Sequence, residues 1–146
     1  MRRHLTLLAV AVLVVLVVAR VWAEPPRSAA EGFQGYWMGV DHVDGGDARR
    51  SLVQLDNGKF ALAGRDTVLT LCDGTEHGFA RFDDGELIGR DVMESNSLTI
   101  TCFNNGATIV LHNRFELIGK GLMIEHTTRQ DGSFVSTIVF HKVSQD

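Results

Sequence analysis

From Gln34 onward the chain contains no proline, and Gly, Asp and Asn interrupt it at short intervals. The interruptions are Asp44-Gly45-Gly46-Asp47, Asp56-Asn57-Gly58, Asp73-Gly74, Asp83-Asp84-Gly85, Ser95-Asn96, Asn104-Asn105-Gly106, Gly119-Lys120-Gly121 and Asp131-Gly132. Asn-Gly and Asp-Gly tolerate the positive φ angles of tight hairpin turns, so each such pair between β-rich runs marks a reversal of an antiparallel sheet. Read this way, residues 34–146 form one all-β domain, a meander of about eight or nine strands. A meander buries its single apolar face by closing into a small up-and-down barrel, the leading expectation, or by folding over as a β-sandwich.

Two hairpins test the register, because a two-residue turn puts the apolar residues of both strands on one face. With Asn105-Gly106 as the turn, Cys102 faces Ile109, Ile100 faces Leu111 and Leu98 faces Asn113, while Thr99, Thr101, Val110 and His112 share the other face. A turn centred on Gly119-Lys120 pairs Leu117 with Leu122, Phe115 with Ile124 and Asn113 with His126 inside, and sets Arg114 against Glu125 outside. The strand from Glu86 to Glu94 sends a charge inward, Asp91 in one register and Arg90 in the other. Phe134 to Val143 is apolar on both faces, which leaves its register open.

The N-terminus has a different character. Arg2-Arg3, the apolar run Leu7 to Ala19, and Val21-Trp22-Ala23 after Arg20 make the layout of a secretory signal peptide over residues 1–23, cleaved before Glu24. The alternative is an uncleaved N-terminal membrane anchor, shortened by Arg20. The expected location is secreted or periplasmic. Residues 24–33 hold both prolines and read as a linker with at most one helical turn, capped by Ser28 and Glu31. Cleavage removes three basic residues and no acid, leaving eleven basic against eighteen acidic residues, a net charge of −7. The basic residues are scattered apart from Arg49-Arg50, so no stripe exists to neutralise phosphates; nucleic acid is excluded as a partner, and so is a membrane once the signal is gone.

Gly35-Tyr36-Trp37 opens the first expected strand, and Gly-x-Trp in that position resembles the start of the lipocalin and avidin-like group of calycin β-barrels. The resemblance implies that Trp37 closes one end of the barrel. Arg129 and Lys142 are loose candidates for the Arg that this group carries late in the chain. A Thr-Asp-Tyr turn and a C-terminal helix have no counterpart here.

Cys72 and Cys102 are an even pair in a chain expected to be exported, and a disulfide is the natural reading. One count opposes it: if every interruption reverses the chain, the turns after the two cysteines fall at opposite barrel ends. Asp41, His42, Asp44 and Asp47 surround the first turn without the spacing of a calcium loop, and Asp beside Gly is what a turn requires. The histidines show no metal-ligand spacing, and no nucleophile motif or phosphate-cradling loop is present, so no metal, cofactor or catalytic residue is expected.

The candidate ligand-binding residues are Trp37, Asn113 and His126, the last two set inside walls of Leu98, Ile100, Leu111, Phe115 and Ile124. The expected function is non-catalytic binding. A hollow barrel would carry a small apolar or amphipathic ligand; a filled one would be a protein-interaction or inhibitor module using Val110, Phe103 and the outer face of the last strand.

Overall fold

The computed structural model describes residues 28–66, 70–72 and 78–143. The expected signal peptide, residues 24–27 of the expected linker and the Asp73-Gly74 turn lie outside the described residues. A short helix α1 (Ala29–Phe33) leads into β1 (Gly35–Asp41), β2 (Asp47–Gln54), β3 (Phe60–Asp66), β4 (Gly78–Leu87), β5 (Val92–Cys102), β6 (Thr108–Gly119), β7 (Leu122–Thr128) and β8 (Phe134–Val143). All neighbouring pairs are antiparallel, and β8 returns to pair with β1 from Tyr36↔Val143 to Asp41↔Ile138. The sheet is a closed up-and-down barrel, not a sandwich.

The capping box forms as the sequence predicts: Glu31 N–H donates to Ser28 Oγ and Ser28 N–H to Glu31 Oε2, each at 3.2 Å. This single turn lays Phe33 fully buried across the base of the barrel, against Phe60 at 6.1 Å between ring centroids. Trp37 is buried beside it, its Nε1 donating to Phe33 O at 2.9 Å. The opposite end, the mouth, carries the turns after β1, β5 and β7 and the β3–β4 connection, whose described part is the 3-10 turn Thr70–Cys72.

Two expected turns are absent. Asp83-Asp84-Gly85 lies inside β4 and Ser95-Asn96 inside β5, while the chain reverses between Leu87 and Val92. Near these residues the ladders shift register, and Ser95 Oγ donates to Asp84 Oδ1 across the gap. The turn-forming residues therefore bulge two long strands instead of ending short ones. Arg90 and Asp91 sit in the exposed turn, so neither charge is buried. One reversal in place of two also brings both cysteines to the mouth. Cys72 and Cys102 are bonded there with Cα atoms 5.5 Å apart, which removes the objection from strand counting.

The β5–β6 hairpin keeps the expected faces with a register two residues away, Ile100↔Ile109 and Leu98↔Leu111, since a shift of two leaves every side chain on its own face. In the β6–β7 hairpin the shift is one. Gly121 adopts φ 72°, which makes Lys120-Gly121 the turn; Gly119 pairs with Leu122, and a bulge beside Leu117 sets Leu117 against Met123. Every residue of β7 then exchanges faces relative to the expectation: Met123, Glu125 and Thr127 point in, Ile124 and His126 out.

Candidate functional site

Alternation along β2 sends Ala48, Arg50 and Leu52 into the barrel and Asp47, Arg49 and Val53 out. Arg50 is therefore an interior residue, 2% exposed. Directly opposite it in register stands Gly64, where a Cβ would lie 2.6 Å from Arg49 O and 2.8 Å from Arg50 Cδ. The absent side chain leaves the space through which the guanidinium crosses the interior. Arg50 Nη1 reaches Asp66 Oδ1 at 2.8 Å and Arg49 O at 3.0 Å, Nε reaches Glu125 Oε2 at 3.0 Å, and Nη2 lies 3.4 Å from each carboxylate. The ring of Phe140 lies 5.4 Å from the guanidinium carbon.

Glu125 extends the cluster. Its Oε1 accepts from Asn113 Nδ2 and lies 3.5 Å from the Thr127 hydroxyl, while Asn113 Nδ2 also donates to Thr127 Oγ1 at 3.2 Å. Asn113 Oδ1 is buried without a partner among the described residues. One cation thus faces two carboxylates away from water. Burial raises the Glu125 carboxyl above its ordinary value and nearby Asp66 adds to the rise, against the pull of Arg50 and the hydrogen bonds from Arg50 and Asn113. Every guanidinium nitrogen already has an acceptor, so the cluster cross-links β2, β3 and β7 and leaves no donor of Arg50 for a guest.

Above it, at the mouth, lies a cavity of about 30 Å³, bounded by Asp41, Asp44, Arg50 and Asp66 on its polar side and by Leu71, Ile100, Leu111 and Ile138 among its apolar walls. That is room for one or two water-sized groups. Asp41 is 8% exposed, and its Oδ1 accepts from Val43 N–H at 2.8 Å. Burial, with Asp44 and Asp66 nearby, raises its carboxyl above the ordinary range, although the bond from Val43 and the charge of Arg50 oppose the shift. Asp44 accepts from Gly46 N–H at 2.9 Å, so both aspartates shape the turn as the sequence suggests. Among the described residues no three His, Cys, Asp or Glu side chains gather closely enough to hold a metal ion.

The three candidate ligand-binding residues do not meet in one pocket. Trp37 stands at the base, fully buried, with Lys142 Nζ 4.9 Å from its ring centroid and donating to Gly32 O at 2.9 Å. Asn113 points inward as expected, but its partners are Glu125 and Thr127. His126 is exposed on the outer wall, its Nδ1 3.0 Å from Thr137 Oγ1, because the turn after β6 lies one residue later than the spacing suggests. Arg114 pairs with Glu94 at 2.8 Å outside instead of with Glu125. The sequence reading misses Arg50, Asp66 and Glu125. Two of them carry a usable signal, since Arg50 lies two residues from both Ala48 and Leu52, and Asp66 continues the inner series of Phe60, Leu62 and Gly64.

No family model, no curated protein and no solved structure matches this chain.

Proposed function

We propose that this chain is an exported, non-catalytic binding module that engages a partner protein from the surface of a filled barrel. One observation carries the reading: the interior is occupied. Trp37, Phe33, Phe60, Phe115, Phe140, Met93 and Met123 are all fully buried, the ion cluster fills the middle, and the cavity above it is about 30 Å³. A pocket that encloses a small organic ligand needs roughly 300 Å³ or more. The interior cavity is about a tenth of that, which favours the partner-protein reading over a carrier that encloses its ligand. The disulfide fits an oxidising compartment, which supports export.

The lipocalin-like resemblance gains one supporting detail. Lys142, one of the two late basic residues considered for that role, lies over Trp37 and fastens the last strand to the carbonyls of the opening helix. That arrangement suits a Trp that plugs a barrel end.

The deciding experiment is native mass spectrometry of protein purified from its own exporting cells. The expected spectrum contains the polypeptide mass alone or the mass of a protein complex. A stoichiometric small molecule that leaves only on unfolding would overturn the filled-barrel reading and restore the carrier.

A further inference from the structure

Three adjacent strands of the barrel wall present no acid, lysine or arginine on their outer side. Met38 and Val40 on β1, Val139 and His141 on β8, and Leu122 and Ile124 on β7 stand side by side in register across that wall. Alternation turns every Asp, Glu, Lys and Arg of these strands inward, Lys142 over Trp37 among them. Val40, Leu122 and Val139 are 45%, 42% and 38% exposed. The flanking strands differ. β2 turns Asp47 and Arg49 outward beside Val40 and Met38, and β6 turns Glu116 outward beside Ile124. Charge spread over an outer wall keeps barrels apart, so an uncharged stretch with charged margins, in a chain 22% charged, marks a contact surface.

Resting on the reading that the wall of a filled barrel makes the contacts, we infer that the partner on this face is a second copy of the chain. The charged margins select the geometry. Two copies meeting face to face on the same patch are related by a two-fold axis that lies in the interface. An axis running along the strands sets Asp47 against Glu116 of the copy, and Arg49 against the turn that holds Lys120, like charge on like. An axis running across the strands, between the row Val40, Val139, Ile124 and the row Met38, His141, Leu122, exchanges the two rows. Val40 then rests on Met38 of the copy and Ile124 on Leu122; Asp47 meets Arg49, and Glu116 meets Lys120, which follows the Gly119 that pairs with Leu122. Asp47 also interacts within its own chain, so Glu116 with Lys120 is the contact to test. The face thus complements itself in one orientation and repels itself in the other. Five strands about 4.8 Å apart, with outward residues about 6.8 Å apart along each, cover roughly 24 by 20 Å, the size of a weak and reversible contact.

Sedimentation velocity of the exported chain, from micromolar to millimolar concentration, should show a reversible step from monomer to dimer. Glu116→Lys and Lys120→Glu should each weaken the dimer about tenfold by setting like charges together across it. An equal mixture of those two variants should recover it, because lysine then meets glutamate at both ends of the interface, a rescue that no contact within one chain can give. Val139→Lys should remove the dimer, whereas Val110→Lys, on the outer side of β6 away from the patch, should not. If circular dichroism shows Val139→Lys unfolded, the mixture still decides. A monomer at every concentration, a dimer that survives a folded Val139→Lys, a mixture that does not recover, or a dimer tightened by Glu116→Lys would overturn the inference. So would a monomer that sediments with phosphatidylcholine vesicles unless Val139 is replaced by lysine, which would assign the face to a lipid surface, or one captured through this face by a different exported protein. A monomer with no co-purifying small molecule removes the dimer alone; a co-purifying ligand removes the filled-barrel reading itself.

Discussion

Arg50 and Glu125, 75 residues apart in sequence, meet inside the barrel with Nε and Oε2 3.0 Å apart. Their contact joins β2 to β7 across the interior, which no backbone ladder does. Removing one member of a buried ion pair leaves the other charged and unsolvated, a loss of about 3–5 kcal/mol. Arg50→Met should therefore lower the unfolding free energy by about that amount, because Asp66 and Glu125 lose their shared cation. Glu125→Gln keeps the shape and leaves Arg50 with Asp66, so its cost should be smaller. Urea denaturation of both variants checks the order, and an equal or reversed order would contradict the cluster as described.

Stability should also depend on pH in a defined direction. Glu125 and Asp41 both hold their protons more tightly in the folded chain than at their ordinary values of 4.5 and 3.8. For an acid whose folded pKa is raised, the stabilisation is complete below the unfolded pKa and is lost as pH rises through the folded one. The barrel should thus be more resistant to urea near pH 5 than near pH 8, and Glu125→Gln should flatten much of that slope. Asp131, held below its ordinary range by two hydrogen bonds from Ser133, acts with the opposite sign only under strongly acid conditions. Urea midpoints across this range are the measurement, and a rise toward pH 8 would be the wrong sign.

The two polar residues expected to share a pocket should now behave differently. His126 lies on the outer wall, where substitutions usually change stability by less than about 0.5 kcal/mol, so His126→Leu should be nearly silent. Asn113→Ala strips Glu125 and Thr127 of a buried donor and should cost about 1–3 kcal/mol. Thermal melts of the two variants decide this, and comparable losses would place His126 inside after all.

The disulfide should contribute to stability and to mass. Bridging residues 30 apart in sequence restricts the unfolded chain, an effect of about 3–4 kcal/mol on the chain-entropy account. The Cys72→Ser, Cys102→Ser double variant should unfold at correspondingly lower urea. Intact mass of the exported protein should match a chain that begins at Glu24 and has lost two hydrogens. A full-length species extracted from membranes would contradict cleavage.

The fold was legible where alternation and turn chemistry agreed. Leu98, Ile100, Leu111 and Phe115 face inward as their spacing demands, and Trp37 opens the first strand. Alternation is insensitive to a slip of two, which explains why the β5–β6 faces survived a wrong register. It is fully exposed to a slip of one, and Gly119-Lys120-Gly121 offers two overlapping turns that residue identity does not separate; the positive φ at Gly121 decides between them. That ambiguity moved Glu125 from the outer wall to the centre of the cluster. Arg50 was hidden for another reason: a long basic side chain beside a second arginine reads as surface unless its alternation with Ala48 and Leu52 is given more weight than its charge.

The pairing of β8 with β1 has a kinetic meaning. Each of the other ladders links strands that are consecutive in sequence, six of them across loops of two to five residues, while this seam must gather the two extremes of the meander. Long closures carry a greater entropic toll and are reached late, only once the intervening strands have shortened the effective loop. Trp37 sits on the first strand of that seam and the lysine over its ring on the last, and it is the sole indole outside residues 1–23. Its emission in a stopped-flow refolding trace should consequently lag behind the growth of β signal in circular dichroism, timing the moment at which an open ribbon becomes a ring.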